Sequence, residues 1–190
     1  MSKTLPDPQF PPLLKGHVFE NKSGLNDYVK AKTGEGSFSA GDLIWSTATK
    51  RAECAIVLEP DIAWHQALAM VPLAMVAVAD SLGAIAPPNL AITFGWPNKI
   101  YANGALVGRV DMEFPAHLNT TEQSQTPIPP DFAILSLKIE IAFEQSSSLE
   151  EQEPGANLTT TVLHEEGCGE INRTQIIESW SRHFLTWLDS

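Results

Sequence analysis

Short apolar runs separated by proline, glycine and polar turns predict a chain that is rich in β-strands. Residues 41–46 and 54–58 are two such runs, and residues 90–94 form a third after a Pro-Pro pair. Residues 132–143 place apolar side chains mostly at alternate positions, which is the period of a strand with one buried face. These four segments are therefore predicted to be strands.

The longest apolar segment predicts a core helix. Residues 61–82 have helical spacing, with Asp61 as the N-cap and Gly83 as the stop. Pro72 lies inside this segment, and proline lacks the amide donor that a helix interior needs. The helix is therefore predicted to kink or split there.

The chain is predicted to end in an amphipathic helix. Asn172 is its N-cap, and Gln175 completes a variant of the capping box. One apolar stripe follows on the helix surface: Ile176, Ile177, Trp180, Phe184, Trp187 and Leu188. Nearer the start of the chain, residues 17–36 contain helical stretches that glycines interrupt.

A β-hairpin is the clearest local signal in the sequence. Asn103-Gly104 lies between two apolar runs, and an Asn-Gly pair in that setting predicts a tight two-residue turn. The first run follows a Trp-Pro-Asn corner at residues 96–98, and the second passes through Gly108.

The order of the elements is strand, strand, helix, hairpin, strand, helix. It predicts an α+β fold in which helices cover a mixed, mostly antiparallel sheet. At 190 residues the chain fits a single domain over residues 1–190. Residues 1–15 are proline-rich and predict an extended arm, while residues 115–130 and 144–158 lack periodicity and predict surface loops.

Charge and composition argue against several classes of function. The net charge of −11 argues against non-specific binding of nucleic acid or of an anionic membrane. No apolar run approaches the length of a membrane span and residues 1–10 lack the pattern of a signal peptide, so a cytoplasmic protein is expected. Cys54 and Cys168 form no disulfide framework or zinc pattern, and no metal site is predicted.

The corner at residues 96–98 and its hairpin resemble the signature of the biotin and lipoate protein ligases. In that family the corner reads Trp-Pro-Asn-Asp and Lys-Leu-Ala-Gly follows; here Lys99 replaces the aspartate, and residues 105–108 read Ala-Leu-Val-Gly. Residues 161–173 and the closing helix are similar to the end of the ligase catalytic domain, so the likeness covers roughly residues 40–188. It points to the divergent biotin/lipoate A/B ligase-like branch and implies a class II synthetase/biotin protein ligase-like fold.

The resemblance implies a two-step reaction. A carboxylic acid such as biotin or lipoate attacks the α-phosphate of ATP and gives an acyl-adenylate. The acyl group then passes to a lysine of a biotinyl or lipoyl carrier domain, and such ligases often form homodimers. Both first reactants are anions, so the site must supply positive charge where negative charge develops.

Three departures from the family pattern affect the site, and two of them concern its charged groups. The segment after Trp45 holds Lys50 and Arg51 but lacks the glycine/arginine-rich loop of the family. Ala105 stands where the family has its usual catalytic lysine. Residues 136–140 replace a Gly-x-Gly-x-Asn pattern on the closing strand, and glycines there let a ligand lie close to the strand.

The chain offers replacements for the missing charges. Lys99 and Arg109 are the candidate catalytic residues, and Arg109 shares a face with Ala105 if no bulge interrupts the strand. The candidate ligand-binding residues are Trp45, Lys50, Arg51, Trp96, Pro97, Asn98 and Gly108. Structural alternatives stay open: solvated surface positions for the cations, core packing for the tryptophans and turn capping for the asparagine.

Two functional hypotheses follow. In the first, the chain is a biotin/lipoate protein ligase-like enzyme that activates a carboxylic acid with ATP. In the second, it is a pseudoenzyme that binds an acyl ligand or an acyl-carrier partner without catalysis, and association with another subunit without any pocket is a third alternative. Two cations that converge with Asn98 on one cleft would favour the enzyme, and a pocket filled by Leu137 and Lys138 would exclude it.

Overall fold

The computed structural model describes residues 5–20, 24–115, 118, 128–143 and 159–189. Within these ranges the chain forms seven β-strands and four α-helices. The strands are β1 Lys15–Phe19, β2 Asp42–Ser46, β3 Arg51–Leu58, β4 Ile92–Gly95, β5 Lys99–Ala102, β6 Ala105–Glu113 and β7 Ala133–Glu140. The helices are α1 Leu25–Gly34, α2 Trp64–Ala67, α3 Met70–Ile85 and α4 Arg173–Leu188.

All seven strands join one sheet in the order β1-β2-β3-β7-β6-β5-β4. β1 and β2 run parallel, and every other neighbouring pair runs antiparallel. The predicted α+β fold with a mixed, mostly antiparallel sheet is confirmed. β7 occupies the centre, and its side chains are buried on both faces of the sheet over residues 133–137, as suits a strand with neighbours on both sides.

The helices divide the sheet into two different faces. α3 and α4 cover the first face, where Trp45 and Leu137 lie in a core with Trp180 of α4. The indole Nε1 of Trp180 donates a 3.1 Å hydrogen bond to the Ala74 carbonyl of α3, which joins the two helices. α1 packs on the second face against residues that include Ile44, and the charged side chains of β3, β6 and β7 share this face.

The helical prediction for residues 17–36 is wrong in its first part. Residues Lys15–Phe19 form β1, which pairs with β2 in the register Val18↔Trp45. The helix starts only at Leu25, after Gly24 has turned the chain with a φ of 85°. β1 forms because it pairs with β2, which is distant in sequence, and a local sequence pattern cannot reveal that pairing.

The helix predicted over residues 61–82 is two helices, α2 and α3. Pro72 lies in the first turn of α3, where its missing amide N–H costs no intrahelical hydrogen bond. Asp61 is not an N-cap, since α2 begins at Trp64. Gly83 is not a stop either, because α3 continues to Ile85.

The stretch Trp64–Ile85 is long and apolar enough to span a membrane by length and composition alone, and it is the one such stretch among the described residues. In the structure it is divided between α2 and α3. α3 packs on the sheet and on α4 through Ala74, Val78 and Leu82. The stretch is therefore part of the core of this fold.

The predicted capping box of the last helix is confirmed. Asn172 Oδ1 accepts from the Gln175 amide at 3.2 Å, and Gln175 Oε1 accepts from the Asn172 amide at 3.0 Å. Most of the loop predicted at residues 115–130 and all of the loop predicted at residues 144–158 lie outside the described residues.

The N-terminal segment before β1 contacts α4. Thr174 Oγ1 donates a 2.8 Å hydrogen bond to the Pro6 carbonyl. The Gln9 amide donates a 2.7 Å hydrogen bond to Glu178 Oε1. Residues 5–14 therefore lie against the last helix and bring the two ends of the chain together.

Candidate functional site

The corner at residues 96–98 connects β4 to β5. Its Trp96–Pro97 peptide bond is cis, and Trp96 is 84% exposed. At the far end of β5, Asn103 and Gly104 have φ values of 48° and 93°, which a two-residue hairpin turn requires. The predicted hairpin is confirmed.

A register shift changes the relation between Ala105 and Arg109. Ala105 pairs with Ala102 and Arg109 pairs with Lys99, and the shift falls between Ile100 and Tyr101. Lys99 and Ala102 are three residues apart on β5, so they face opposite sides of the sheet. Arg109 and Ala105 therefore do so as well. Arg109 and Ala105 were expected to share a face only if no bulge interrupted the strand. The register shift breaks that condition, so they do not share a face.

Three cations form a row across the second face of the sheet. Lys99 of β5 lies opposite Arg109 of β6, and Arg109 lies opposite Lys138 of β7. Glu53 of β3 continues the row beyond Lys138. Like charges placed directly opposite each other repel, so this row needs anions beside it.

Carboxylates two residues along the same strands supply most of that negative charge. Arg109 Nε lies 2.6 Å from Asp111 Oδ2, and Lys138 Nζ lies 2.9 Å from Glu140 Oε1. No carboxylate of the described residues lies within ion-pair distance of Lys99. Lys99 is thus the cation of the row whose charge is not matched locally.

The row borders a cleft of about 450 Å³. Asn98, Lys99, Gly108, Arg109 and Lys138 all line it. Its apolar wall is formed by Leu106, Val107, Ala142, Phe143 and Val162. The cleft thus combines a charged floor on β5–β7 with an apolar side.

One wall of this cleft, formed by residues 160–162, was not among the predicted site residues. Thr160 forms an isolated parallel bridge with Leu106, and the Thr161 amide donates to the Leu106 carbonyl at 2.8 Å. The chain at residues 160–162 therefore continues the sheet where β7 has ended. Only the assembled sheet brings these residues to β6. The sequence showed residues 161–173 only as similar to the end of the ligase catalytic domain.

A second cavity of about 280 Å³ lies at the corner. Trp96, Pro97 and Asn98 line it together with side chains of the α2–α3 region and of β6. Asn98 lines both cavities. The predicted site residues of the corner are thus shared between two neighbouring spaces.

Trp45 does not belong to either cavity. It is 2% exposed and lies in the core under α3 and α4, on the opposite face from the cation row. The guanidinium of Arg173 lies 5.1 Å from its ring centroid. Of the alternatives open from the sequence, the structure places Trp45 as a packing residue.

Lys50 and Arg51 lie near the cleft but do not line it. Lys50 Nζ donates a 2.6 Å hydrogen bond to the Phe143 carbonyl, and Arg51 Nε lies 2.9 Å from Glu53 Oε2. Residues 47–50 are the whole connection between β2 and β3. No glycine is present there to wrap backbone amides around a phosphate.

Comparison with solved structures identifies the class of fold. The biotin protein ligase of Aquifex aeolicus matches with a TM-score of 0.61 and 17% identity, covering 93% of this chain and 67% of that one. The Leishmania major biotin protein ligase in complex with biotinyl-5-AMP matches with a TM-score of 0.58 and 15% identity, covering 94% and 76%. The chain has the fold of the biotin protein ligase catalytic domain.

A match to a family model shows the family to which the chain belongs. A biotin protein ligase-like protein of unknown function from a Silicibacter species matches with a TM-score of 0.77 and 28% identity, covering 95% of this chain and 72% of that one. Residues 10–190 match the biotin/lipoate A/B protein ligase family, and the chain belongs to that family. A comparison with curated proteins gave no match.

Proposed function

We propose that the chain is a biotin/lipoate protein ligase-like enzyme that activates a carboxylic acid with ATP and transfers the acyl group to a lysine of a carrier domain. The observation that carries this proposal is the convergence of Lys99, Arg109 and Lys138 with Asn98 on one cleft. Membership of the family supports it, and so does the shared fold with an Aquifex aeolicus ligase in complex with biotin and ATP.

The cleft suits the two halves of an activated carboxylic acid. Leu137 is buried in the helix-covered core and Lys138 borders the cleft, so neither side chain closes it. The apolar wall can hold the body of an acyl group, since apolar surface gains free energy when it leaves water. Lys99 and Arg109 then face the carboxyl end.

The proposed chemistry proceeds in two displacements. A carboxylate oxygen forms a bond to the α-phosphorus of ATP, the bond to the bridging oxygen breaks, and pyrophosphate leaves. The amine of a carrier lysine next attacks the acyl carbon, loses a proton, and releases AMP. Lys99 and Arg109 stabilise the negative charge that develops on the phosphate oxygens in the first step.

A pseudoenzyme that binds an acyl ligand or an acyl-carrier partner is the second candidate, and the ion pairs favour it. Arg109 and Lys138 each have a carboxylate partner of their own, so Lys99 supplies most of the unmatched positive charge. That charge suits one carboxylate better than a triphosphate, whose several charges would also meet the neighbouring acids. Ala105 adds no charge at the usual lysine position.

Ligand binding and pyrophosphate exchange separate these candidates. We would titrate the protein with ATP, biotin, lipoate, octanoate and a stable biotinyl-adenylate mimic, using calorimetry and thermal shift. ATP-pyrophosphate exchange that depends on one of these acids supports the enzyme. Binding of an acid without exchange supports the pseudoenzyme. Binding of none of these compounds contradicts the enzyme and the acyl-binding pseudoenzyme, and leaves the pseudoenzyme that binds a carrier partner.

Variants tie any binding to the cleft. Lys99→Ala and Arg109→Ala are each expected to weaken binding of the adenylate mimic about tenfold, because each removes a charge-assisted contact. Lys32→Ala is the matched control, since Lys32 is an exposed lysine on α1 that pairs with Glu35 outside the cleft. Equal losses in all three variants would contradict the assignment of the site.

The partners follow from the proposed reaction. The acceptor is a biotinyl or lipoyl carrier domain, and the acyl donor is biotin or lipoate with ATP as the second substrate. A cytoplasmic location and a homodimer remain predictions from the sequence and the family resemblance. Size-exclusion chromatography with light scattering measures the oligomeric state.

A further inference from the structure

Asp111 on β6 contacts two residues of the cleft at once. Its Oδ2 lies 2.6 Å from Arg109 Nε, and its Oδ1 accepts a 2.7 Å hydrogen bond from Asn98 Nδ2. The Asp111 side chain is 29% exposed, whereas that of Arg109 is 61% exposed. The acid is therefore the more enclosed member of the pair, and the guanidinium extends from it toward solvent and the cleft.

Each of these contacts fixes an orientation. An ionised carboxylate can only accept hydrogen bonds, so Asn98 must turn its amide NH₂ group to Asp111. The amide oxygen of Asn98 then remains for another partner. Arg109 meets Asp111 through Nε, at the base of the guanidinium, which leaves the outer edge of that group available to a ligand.

We propose that Asp111 is a positioning residue that orients Arg109 and Asn98 toward an anionic ligand in the cleft. This role rests on the proposed function, because an acyl carboxylate or adenylate is the anion that the cleft would bind. In the Trp-Pro-Asn-Asp corner of the family the acid follows the asparagine directly. Here Lys99 holds that place, and the acid that contacts Asn98 comes from the next strand.

Glu140 provides a matched comparison on the neighbouring strand. It stands two residues from Lys138, 2.9 Å from its amine, and it lines the cleft. The described contacts give Glu140 no amide partner comparable to Asn98. If the acids only screen the cations, Asp111→Asn and Glu140→Gln will have the same effect on the cleft. If Asp111 positions Arg109 and Asn98, the two variants will differ.

The first test needs no ligand. We would record ¹⁵N NMR relaxation of the Arg109 Nε–H and the Asn98 side-chain amide in the wild type, Asp111→Asn and Glu140→Gln. The proposal expects a restrained Arg109 Nε–H in the wild type and in Glu140→Gln, and a mobile one in Asp111→Asn. A mobile Nε–H in the wild type, or an unchanged one in Asp111→Asn, would overturn it.

The second test measures binding of octanoate and of the biotinyl-adenylate mimic by calorimetry. Asp111→Asn is expected to weaken binding about tenfold, since its loss frees both contacting side chains. Glu140→Gln is expected to leave binding equal or tighter, because Lys138 loses its carboxylate partner and its charge becomes available to the ligand. Equal or tighter binding in Asp111→Asn would show that the acid competes with the ligand, and the proposal would be wrong.

The two tests keep this inference separate from the proposed function. A wild type that binds neither probe contradicts the function, while the NMR result still decides whether Asp111 positions its neighbours. If Asp111→Asn does not fold by circular dichroism, Asn98→Ala removes the other half of the contact and serves in the relaxation experiment. It is expected to increase the mobility of Arg109, and no increase would count against the proposal.

Discussion

Gly108 is required by the close approach of two strands. A Cβ added at this position would lie 2.3 Å from the Lys138 carbonyl oxygen and 2.6 Å from Ile139 Cδ1. The nearest obstacle is backbone, which cannot move aside without breaking the β6–β7 ladder. The glycine that resembles the family motif therefore has a structural reason that is independent of any ligand.

Replacing this glycine is expected to destabilise the protein. Gly108→Ala should lower the free energy of unfolding by about 3 kcal/mol, because an overpacked contact strains the sheet. Gly83→Ala is the control: Gly83 lies in the last turn of α3, and apart from its chain neighbours and the helix backbone no described atom lies within 4 Å of an added Cβ. Alanine there should stabilise the helix by roughly 0.5–1 kcal/mol. Urea unfolding of both variants measures the difference, and a neutral Gly108→Ala would contradict the packing argument.

Arg173 is a charged residue enclosed in the core. It is 4% exposed, and its Nε and Nη1 have no hydrogen-bond partner among the described residues. Burial lowers the pKa of its guanidinium, and the charge of Asp7 opposes that shift. The clearest favourable interaction of the guanidinium is its cation–π contact with the Trp45 ring.

The side chain of Arg173 is therefore expected to contribute through packing more than through charge. Arg173→Met should keep the free energy of unfolding within about 1 kcal/mol of wild type, because an apolar chain of similar length needs no partner. Arg173→Ala should cost about 2–4 kcal/mol through the cavity that it leaves beside Trp45. Chemical denaturation compares them, and equal losses would show that the charge itself matters.

At the level of elements, a small polar cluster links β1 to β2. His17 Nε2 lies 2.7 Å from Asp42 Oδ1, and the Ser39 amide donates to Asp42 Oδ2 at 2.8 Å. Burial raises the pKa of Asp42, but the Ser39 hydrogen bond, the His17 contact and the charge of Lys15 together lower it below 3.8. β1 is an edge strand, so this cluster helps to hold it in place.

The depressed pKa of Asp42 predicts how stability depends on pH. A carboxyl whose pKa is lower in the folded state stabilises the protein fully above its unfolded pKa, near 3.8, and loses that effect as the pH falls below it. Asp42→Asn should cost about 1–3 kcal/mol at pH 7 and should flatten the loss of stability below pH 4. Asp61→Asn, at an exposed position, should change neither. Thermal unfolding from pH 2.5 to 7 tests this, and parallel curves for wild type and Asp42→Asn would contradict it.

Local signals predicted some elements well and others poorly. The Asn103-Gly104 hairpin and the Asn172 capping box depend on neighbours in sequence, and both are confirmed. β1 depends on pairing with a strand more than twenty residues away, so its pattern was mistaken for helix. The register shift in β5–β6 is also a product of pairing, and it moved Ala105 away from the face of Arg109.

For the whole molecule, the two chain ends stabilise each other. The Thr174–Pro6 and Gln9–Glu178 hydrogen bonds join positions that are 168 and 169 residues apart. Phe10 packs against the main core, and an added Cβ at Gly16 would lie 2.5 Å from its ring. The N-terminal segment thus contributes to the fold beyond the sheet.

This contact predicts a coupling between the chain ends. Thr174→Val should lower the free energy of unfolding by about 1 kcal/mol in the full chain, because it loses the hydrogen bond to Pro6. In a chain that lacks residues 1–9 the same substitution should cost nothing, because its partner is already absent. A double-mutant cycle from urea unfolding measures the coupling. Additive effects would mean that the segment does not dock on α4.

Some residues of the cleft could be predicted from the sequence, and others could not. Asn98, Lys99, Gly108 and Arg109 were predicted together because one hairpin keeps them close. Lys138 lies beside them only because the sheet order places β7 next to β6. A signal was present in the sequence, since Arg109 and Asp111, like Lys138 and Glu140, are two residues apart on strands. That spacing puts each cation next to its own acid, and the resemblance to a ligase motif did not reveal it.

The short connection at residues 47–50 has a consequence for the lifetime of an intermediate. A few residues between β2 and β3 cannot fold over the cleft and shut out solvent. An acyl-adenylate is a mixed anhydride that water hydrolyses, so one formed on this face would decay unless something else shielded it. Under the proposed function, an acceptor protein that docks on this face would be both substrate and cover, and the yield of acyl transfer would depend on how soon the two proteins meet.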